Sequence, residues 1–98
     1  MSETHEVLIR LPRTLTALIG DQENVTVALA VGSTVEGLLD ELAEAYPILD
    51  RRLRDETGAI RRYVNLYLDG EDIRNLDGEK TVIGAGQDVQ VIQSVAGG

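Results

Sequence analysis

The chain has no cysteine, no tryptophan, no phenylalanine and a single histidine, His5, among 98 residues. Without cysteine it forms no disulfide, thiolate nucleophile, persulfide or cysteine thioester. A zinc site would have only His5 and carboxylates to draw on. If the chain handles sulfur or acyl groups, another atom must do so. Basic residues are also scarce: 9 Lys+Arg stand against 17 Asp+Glu, a formal net charge of −8. That balance repels phosphate backbones, so nucleic acid is not an expected partner. No apolar run approaches the roughly 20 residues of a membrane span, and Met1–Glu6 is polar and acidic, unlike a secretion signal. The expected setting is therefore the cytoplasm, away from membranes. What is present is an ordinary globular composition, 43% hydrophobic and 27% charged. The length supports one domain, 1–98, and a single core needs no covalent staples at this size.

The hydrophobic pattern predicts an α+β fold. Residues 6–11 form a β-rich run ended by Pro12. Residues 13–23 read as a loop or a short helical turn. Residues 24–31 alternate, with Val25, Val27 and Leu29 on one face, which predicts a second strand hairpinned to the first. Ser33 is the expected helix N-cap, with Glu36 completing a capping box. Val35, Leu38, Leu39, Leu42 and Tyr46 then form one apolar stripe, and Pro47 closes the helix. Gly37 inside that helix costs about 1 kcal/mol, which close packing on the sheet would explain.

Ile48, Leu49 and Leu53 suggest a short second helix. Residues 61–68 alternate cleanly, with Val64, Leu66 and Leu68 inward and Tyr63, Asn65 and Tyr67 outward. Asp69-Gly70 is a hairpin turn leading to a short return strand near Glu71–Arg74. Lys80–Ile83 is ambiguous, Gly84-Ala85-Gly86 is a turn, and residues 88–92 form a last strand with Val89 and Val91 inward. Helices then cover one face of a mixed sheet. The expected core is Leu8, Val25, Val27, Val35, Leu38, Leu39, Leu42, Val64, Leu66, Leu68, Val89 and Val91.

Sites for catalysis are hard to find. No Gly-rich phosphate loop opens a helix, and Gly84-Ala85-Gly86 precedes a strand instead. His5 lies near a terminus expected to fray and reads as a passive surface residue. Ser33 and Ser94 have no histidine partner in view. Five of the nine basic residues, Arg51, Arg52, Arg54, Arg61 and Arg62, fall within twelve positions. They read as a solvated loop or as a local docking patch on an acidic protein. RNA binding would need stacking platforms beside them, and only Tyr63 and Tyr67 qualify.

The ending Gln93-Ser94-Val95-Ala96-Gly97-Gly98 is the informative feature. Two final glycines arise by chance in roughly 0.5% of chains at ordinary glycine usage. Without Cβ atoms, Gly97 and Gly98 can pass a narrow enzyme channel, and the terminal carboxylate is sterically open. It can attack the α-phosphorus of ATP held by another protein to give an acyl-adenylate. A sulfur nucleophile can then displace AMP and leave a thiocarboxylate. Residues 93–98 carry no charged side chain, which suits a tail desolvated in a partner's site.

With Val95-Ala96-Gly97-Gly98 attached to a small strand–strand–helix–strand domain, the chain resembles the MoaD/ThiS family of ubiquitin-like β-grasp sulfur carriers. Tyr63-Val64-Asn65-Leu66-Tyr67-Leu68, then Glu71-Asp72-Ile73-Arg74, and the stretch from Gly86 to Gly98, are most similar to its cysteine-biosynthesis branch. The chain departs from many relatives at Gly86-Gln87-Asp88, where they have Gly-Asp, and at Gln93-Ser94, where they have proline.

The resemblance implies a protein-borne sulfur donor, not an enzyme, with no bound cofactor. Gly98 would be its adenylation and thiocarboxylate site, Gly97 and Ala96 giving access. It implies an adenylating enzyme of the ubiquitin-activating type, which uses the ATP, and a sulfurtransferase. A PLP-dependent cysteine synthase would consume the sulfur, or else the large subunit of molybdopterin synthase. A ubiquitin-like modifier is a further alternative. Tyr63, Tyr67 and Ile92, expected together on the free sheet face with Arg61 or Arg62 at the rim, are the candidate docking patch.

Overall fold

The computed structural model describes residues 3–94. Five strands form one sheet in the order β2-β1-β5-β3-β4. They are β1 Thr4–Arg10, β2 Asn24–Ala30, β3 Val64–Leu68, β4 Glu71–Asp72 and β5 Asp88–Gln93. The helices are α1 Arg13–Thr16, α2 Val35–Ala45 and α3 Pro47–Leu53. β1 pairs antiparallel with β2 and parallel with β5, and β5 pairs antiparallel with β3. The sheet is therefore mixed, with helices on its inner face.

β1 takes the register opposite to the one expected. Val7 and Ile9 are buried, opposite Val27 and Val25, whereas Leu8 is only partly buried and falls opposite Thr26. The run Glu6-Val7-Leu8-Ile9-Arg10 is apolar at three successive positions, so its own alternation does not choose a face. Pairing with the strictly alternating β2 does. Leu8 therefore leaves the core list, and Val7 and Ile9 join it.

α2 starts one residue later than predicted. Thr34, with extended dihedrals, is the N-cap, and its Oγ1 accepts from Gly37 N at 3.3 Å. Ser33 is held as a turn residue instead: its N–H donates to Ala30 O and its carbonyl accepts from Ile83 N, each at 3.0 Å. Glu36 then lies in the first turn, where a carboxylate favours the helix dipole without closing a capping box. Gly37 packs on no strand. A Cβ there would meet Ser33 Cβ at 3.5 Å, an ordinary contact. The apolar stripe is as read, with Val35, Leu38, Leu39 and Leu42 at 2% exposure or less. Pro47 ends α2 and opens α3, where it occupies the first turn. Leu49 and Leu53 of α3 are buried and Ile48 faces outward.

Asp69 and Gly70 both have positive φ, 49° and 84°, as a two-residue hairpin requires. β4 is only two residues long. The chain then continues as 3₁₀ turns at Ile73–Asn75 and Gly78–Lys80. Ile73 and Ile83 from this irregular stretch reach the core. His5 is not frayed: it lies in β1 opposite Leu29, partly buried, with its Nδ1 enclosed and without a hydrogen-bond partner among the described residues.

Candidate functional site

The residue expected to react, Gly98, and the residues expected to give access, Gly97 and Ala96, lie outside the described residues. What the structure shows is how the sheet delivers the chain to Ser94. β5 sits between β1 and β3, so its backbone is bonded on both sides. Strand pairing extends to Gln93 opposite Val64. Beyond it, Ser94 N still donates to Tyr63 O at 2.7 Å, and Asn65 Nδ2 donates to Ser94 Oγ at 3.2 Å. Thr14 Oγ1 donates to Gln93 Oε1 at 2.6 Å, tying α1 to the same end. Of the residues expected within the tail, Gln93 thus belongs to the sheet and Ser94 is still bonded to it. The uncharged polar side chains pair here, Thr14 with Gln93 and Asn65 with Ser94, where a strand would otherwise fray.

The opposite end of β5 is pinned by Asp69. Its carboxylate accepts from Asp88 N at 2.8 Å and from Gln87 Nε2 at 3.3 Å, and its own N–H donates to Asp88 O at 2.9 Å. Gln87 also accepts, at its Oε1, from Gly84 N at 2.6 Å. It closes the turn whose Gly86 has φ of 80°.

The free face of the sheet carries Tyr67 and Ile92 as expected. Ile92 is 39% exposed, Tyr67 is partly buried, and Asn65 opposes Ile92 across the strands. Gln90 separates Tyr67 from Arg10 in the next register row, and Arg10 Nη2 reaches Asp88 Oδ2 at 3.3 Å. Leu8, which sequence reasoning placed in the core, lies on this face opposite Asp88. The face is consequently a mixed surface, with apolar groups set among polar ones.

Tyr63 is not part of it. Val64 N donates to Arg61 O at 3.0 Å, so residues 61–64 are a tight turn and the strand alternation begins only at Val64. Tyr63 packs partly against the core. Arg61 and Arg62 line a groove beside β3 with Ile60, Asn65, Leu66, Ile73 and Arg74, and Asn65, opposite Ile92, is where that groove borders the Tyr67–Ile92 surface.

The arginine cluster divides. Arg54 is structural: its side chain is 10% exposed, with Nε on Asp50 Oδ1 at 2.7 Å and Nη1 on Asp40 Oδ1 at 2.8 Å, clamping α3 to α2. Burial opposes its charge, and the two aspartates outweigh burial and hold its pKa above the ordinary value. Arg61 Nε donates to Arg51 O at 2.9 Å. Arg51, Arg52 and Arg62 are exposed. Thr57 hydroxyl and backbone donors keep the Asp55 carboxyl below the ordinary range. Among the described residues, no group of three or more His, Cys, Asp or Glu side chains is arranged to hold a metal ion. No helix there is long and apolar enough to cross a membrane.

The ThiS family model matches residues 9–98, which takes in the final glycines. The chain belongs to the ThiS family. It is 33% identical over 94 residues to the sulfur carrier protein CysO of Mycobacterium tuberculosis, covering 94% of this chain and 98% of that protein. Among solved structures it resembles M. tuberculosis CysO with a TM-score of 0.78 and 30% identity, over 91% of this chain and 99% of that one. It also resembles a chain of the Amycolatopsis orientalis BexX/CysO complex (TM-score 0.80, 26% identity, 94% and 99% covered). SAMP1 of Haloferax volcanii matches with a TM-score of 0.82 and 25% identity over 95% and 99%. The fold is the ubiquitin-like β-grasp that the sequence predicted. Leu8 was missed on the free face, and Asn65 and Thr14 were missed as contacts of the tail root. For Asn65 the signal was its position opposite the last strand; for Thr14 no local signal existed, since its partner is 79 residues away.

Proposed function

We propose that the chain is a sulfur carrier for cysteine biosynthesis, working in the cytoplasm as a co-substrate of other enzymes. Its reactive group is the carboxyl of Gly98. The observation that carries this reading is the identity to a sulfur carrier protein across almost the whole chain, within a family match that runs to residue 98. A partner of the ubiquitin-activating type, bearing ATP, forms the acyl-adenylate with loss of pyrophosphate. A sulfur nucleophile supplied through a sulfurtransferase displaces AMP. The thiocarboxylate then serves a PLP-dependent cysteine synthase. The domain's own contribution is positional. The root of the tail, leaving a central strand at Ser94, is held at a fixed place relative to any surface the partner grips, which favours in-line attack once the partner binds the tail.

Intact mass after incubation with an adenylating enzyme, ATP and a sulfur source should rise by about 16 Da, one oxygen replaced by sulfur. A chain lengthened by one residue after Gly98 should fold and remain uncharged. Charging of the lengthened chain, with no trimming detected, would overturn the proposal. Tyr67 and Ile92 are the side chains proposed to dock the adenylating enzyme. Tyr67→Ala or Ile92→Ala should slow charging about tenfold or more without unfolding.

A second reading, a protein modifier whose tail ends as an amide on target lysines, is favoured by the structural likeness to H. volcanii SAMP1, described as a small archaeal modifier protein. Tryptic mapping of conjugates in cells distinguishes it: branched glycine remnants on lysine mark a modifier, and their absence together with the mass gain marks a carrier.

A further inference from the structure

The groove beside β3 holds about 380 Å³. That lies within the range of side-chain and ligand pockets, roughly 300–1,000 Å³. Leu66 and Ile73 form part of its apolar wall, with Ile60 across from them in the 59–62 segment. Its charges are Arg61, Arg62 and Arg74 against Asp72 and Glu79, three cations to two anions on a chain of net charge −8.

Two of these charges are already committed to each other. Arg74 Nη2 lies 2.7 Å from Asp72 Oδ2. Arg61 spends its Nε on the Arg51 carbonyl and lies near Asp55. Arg62 is exposed and, among the described residues, makes no ion pair within 4.0 Å. On an acidic protein, an exposed cation without an ion pair is a place where an acidic segment meets less repulsion.

The groove is also continuous with the tail root. Asn65, one of its lining residues, donates to Ser94 Oγ at 3.2 Å. An occupant of the groove therefore sits beside the point where the chain leaves the sheet. A second copy of this chain would bring net charges of −8 together and set Arg62 against its own equivalent, so the charges disfavour that occupant.

We propose that this groove docks an extended segment of a partner protein, acidic residues flanking one apolar side chain. The apolar side chain packs on Ile60, over a floor formed by the buried Leu66 and Ile73, and the acidic residues meet Arg61 and Arg62. This is a second contact surface, bordering the Tyr67–Ile92 face at Asn65, and it does not depend on the tail's chemistry.

The probe is a blocked peptide, Asp-Glu-Leu-Glu-Asp, titrated at millimolar concentration into the ¹⁵N-labelled protein, with Lys-Lys-Leu-Lys-Lys as control. Amide shifts should move at Ile60, Arg62 and Arg74 and stay still at Leu8 and Gln90. The effect should weaken at high salt. Arg62→Glu, an exposed change compatible with folding, should reduce affinity about fivefold or more. No shifts, equal shifts with the basic peptide, shifts on the Leu8–Gln90 face, or indifference to Arg62→Glu would each overturn the proposal. No ATP or adenylating enzyme is present, so failure here leaves the carrier reading standing, and a failed charging assay leaves the groove standing.

Discussion

On the inner face of the sheet, Val7, Ile9, Val25, Val27, Leu29, Val64, Leu66, Leu68, Val89 and Val91 are each no more than 8% exposed. On the outer face, the alternating neighbours Glu6, Leu8, Arg10, Thr26, Gln90, Ile92 and Tyr67 range from half-buried to exposed and mix charge, amide, aliphatic and aromatic. The same strands carry both sets, so the difference reflects what each face must do. The inner face is set by the desolvation that drives folding. The outer face is under no such demand, and its side chains are available for recognition.

Neighbouring residues on one strand give the sharpest way to break this comparison. Ile9→Ala and Leu66→Ala should each cost roughly 2–5 kcal/mol, as large-to-small changes in a packed core do. Leu8→Ala, one position away, should cost well under half as much. Thermal or denaturant unfolding of the three variants decides it. A loss at Leu8 equal to that at Ile9 would mean that β1 is buried on both faces.

Arg54→Ala should come next. It removes a nearly buried guanidinium bonded to Asp50 and Asp40, and should cost about 1–2 kcal/mol. Asp40 is 66% exposed, so Asp40→Asn should lose only a fraction of that.

The smallest effect has the opposite sign. Burial, aided by Glu36 and Asp40 and opposed by Arg54, pushes the Glu79 carboxyl above its ordinary range, and its Oε1 is enclosed without a partner. The folded state therefore binds this proton more tightly than the unfolded chain. Stability contributed by Glu79 is present below the ordinary carboxylate value and is lost as pH rises through the folded one. Glu79→Gln should melt roughly 1–4 °C higher at neutral pH, with the gain vanishing below about pH 4. An equal gain at both pH values would assign the effect to packing.

How much of this was legible in the sequence follows the same division. The inner face was readable wherever alternation was clean, as in β2, β3 and β5. It failed at β1, where Val7, Leu8 and Ile9 are consecutive and only pairing with a neighbour chooses the side. Lys80–Ile83 was ambiguous, and the return strand read to Arg74 stops at Asp72, because Ile73 and Ile83 reach the core from 3₁₀ turns and irregular backbone that have no hydrophobic period. Ser33 and Thr34 are both good caps, and the choice fell to Thr34 because Ser33's backbone was already bonded to Ala30 and Ile83. The Arg51–Arg62 cluster is compact in sequence but divides in space between a clamp, a turn and a groove. Linear proximity gave no hint of that.

β5 lies in the middle of the sheet and runs directly into the tail. A partner that grips the domain and draws the tail into a channel therefore pulls along the axis of a strand bonded on both flanks. The load falls in shear, shared by the ladders to β1 and β3 together, instead of peeling one bond at a time as it would from an edge. The domain is thus built as an anchor: traction along β5 meets both ladders before the strand can slip its register.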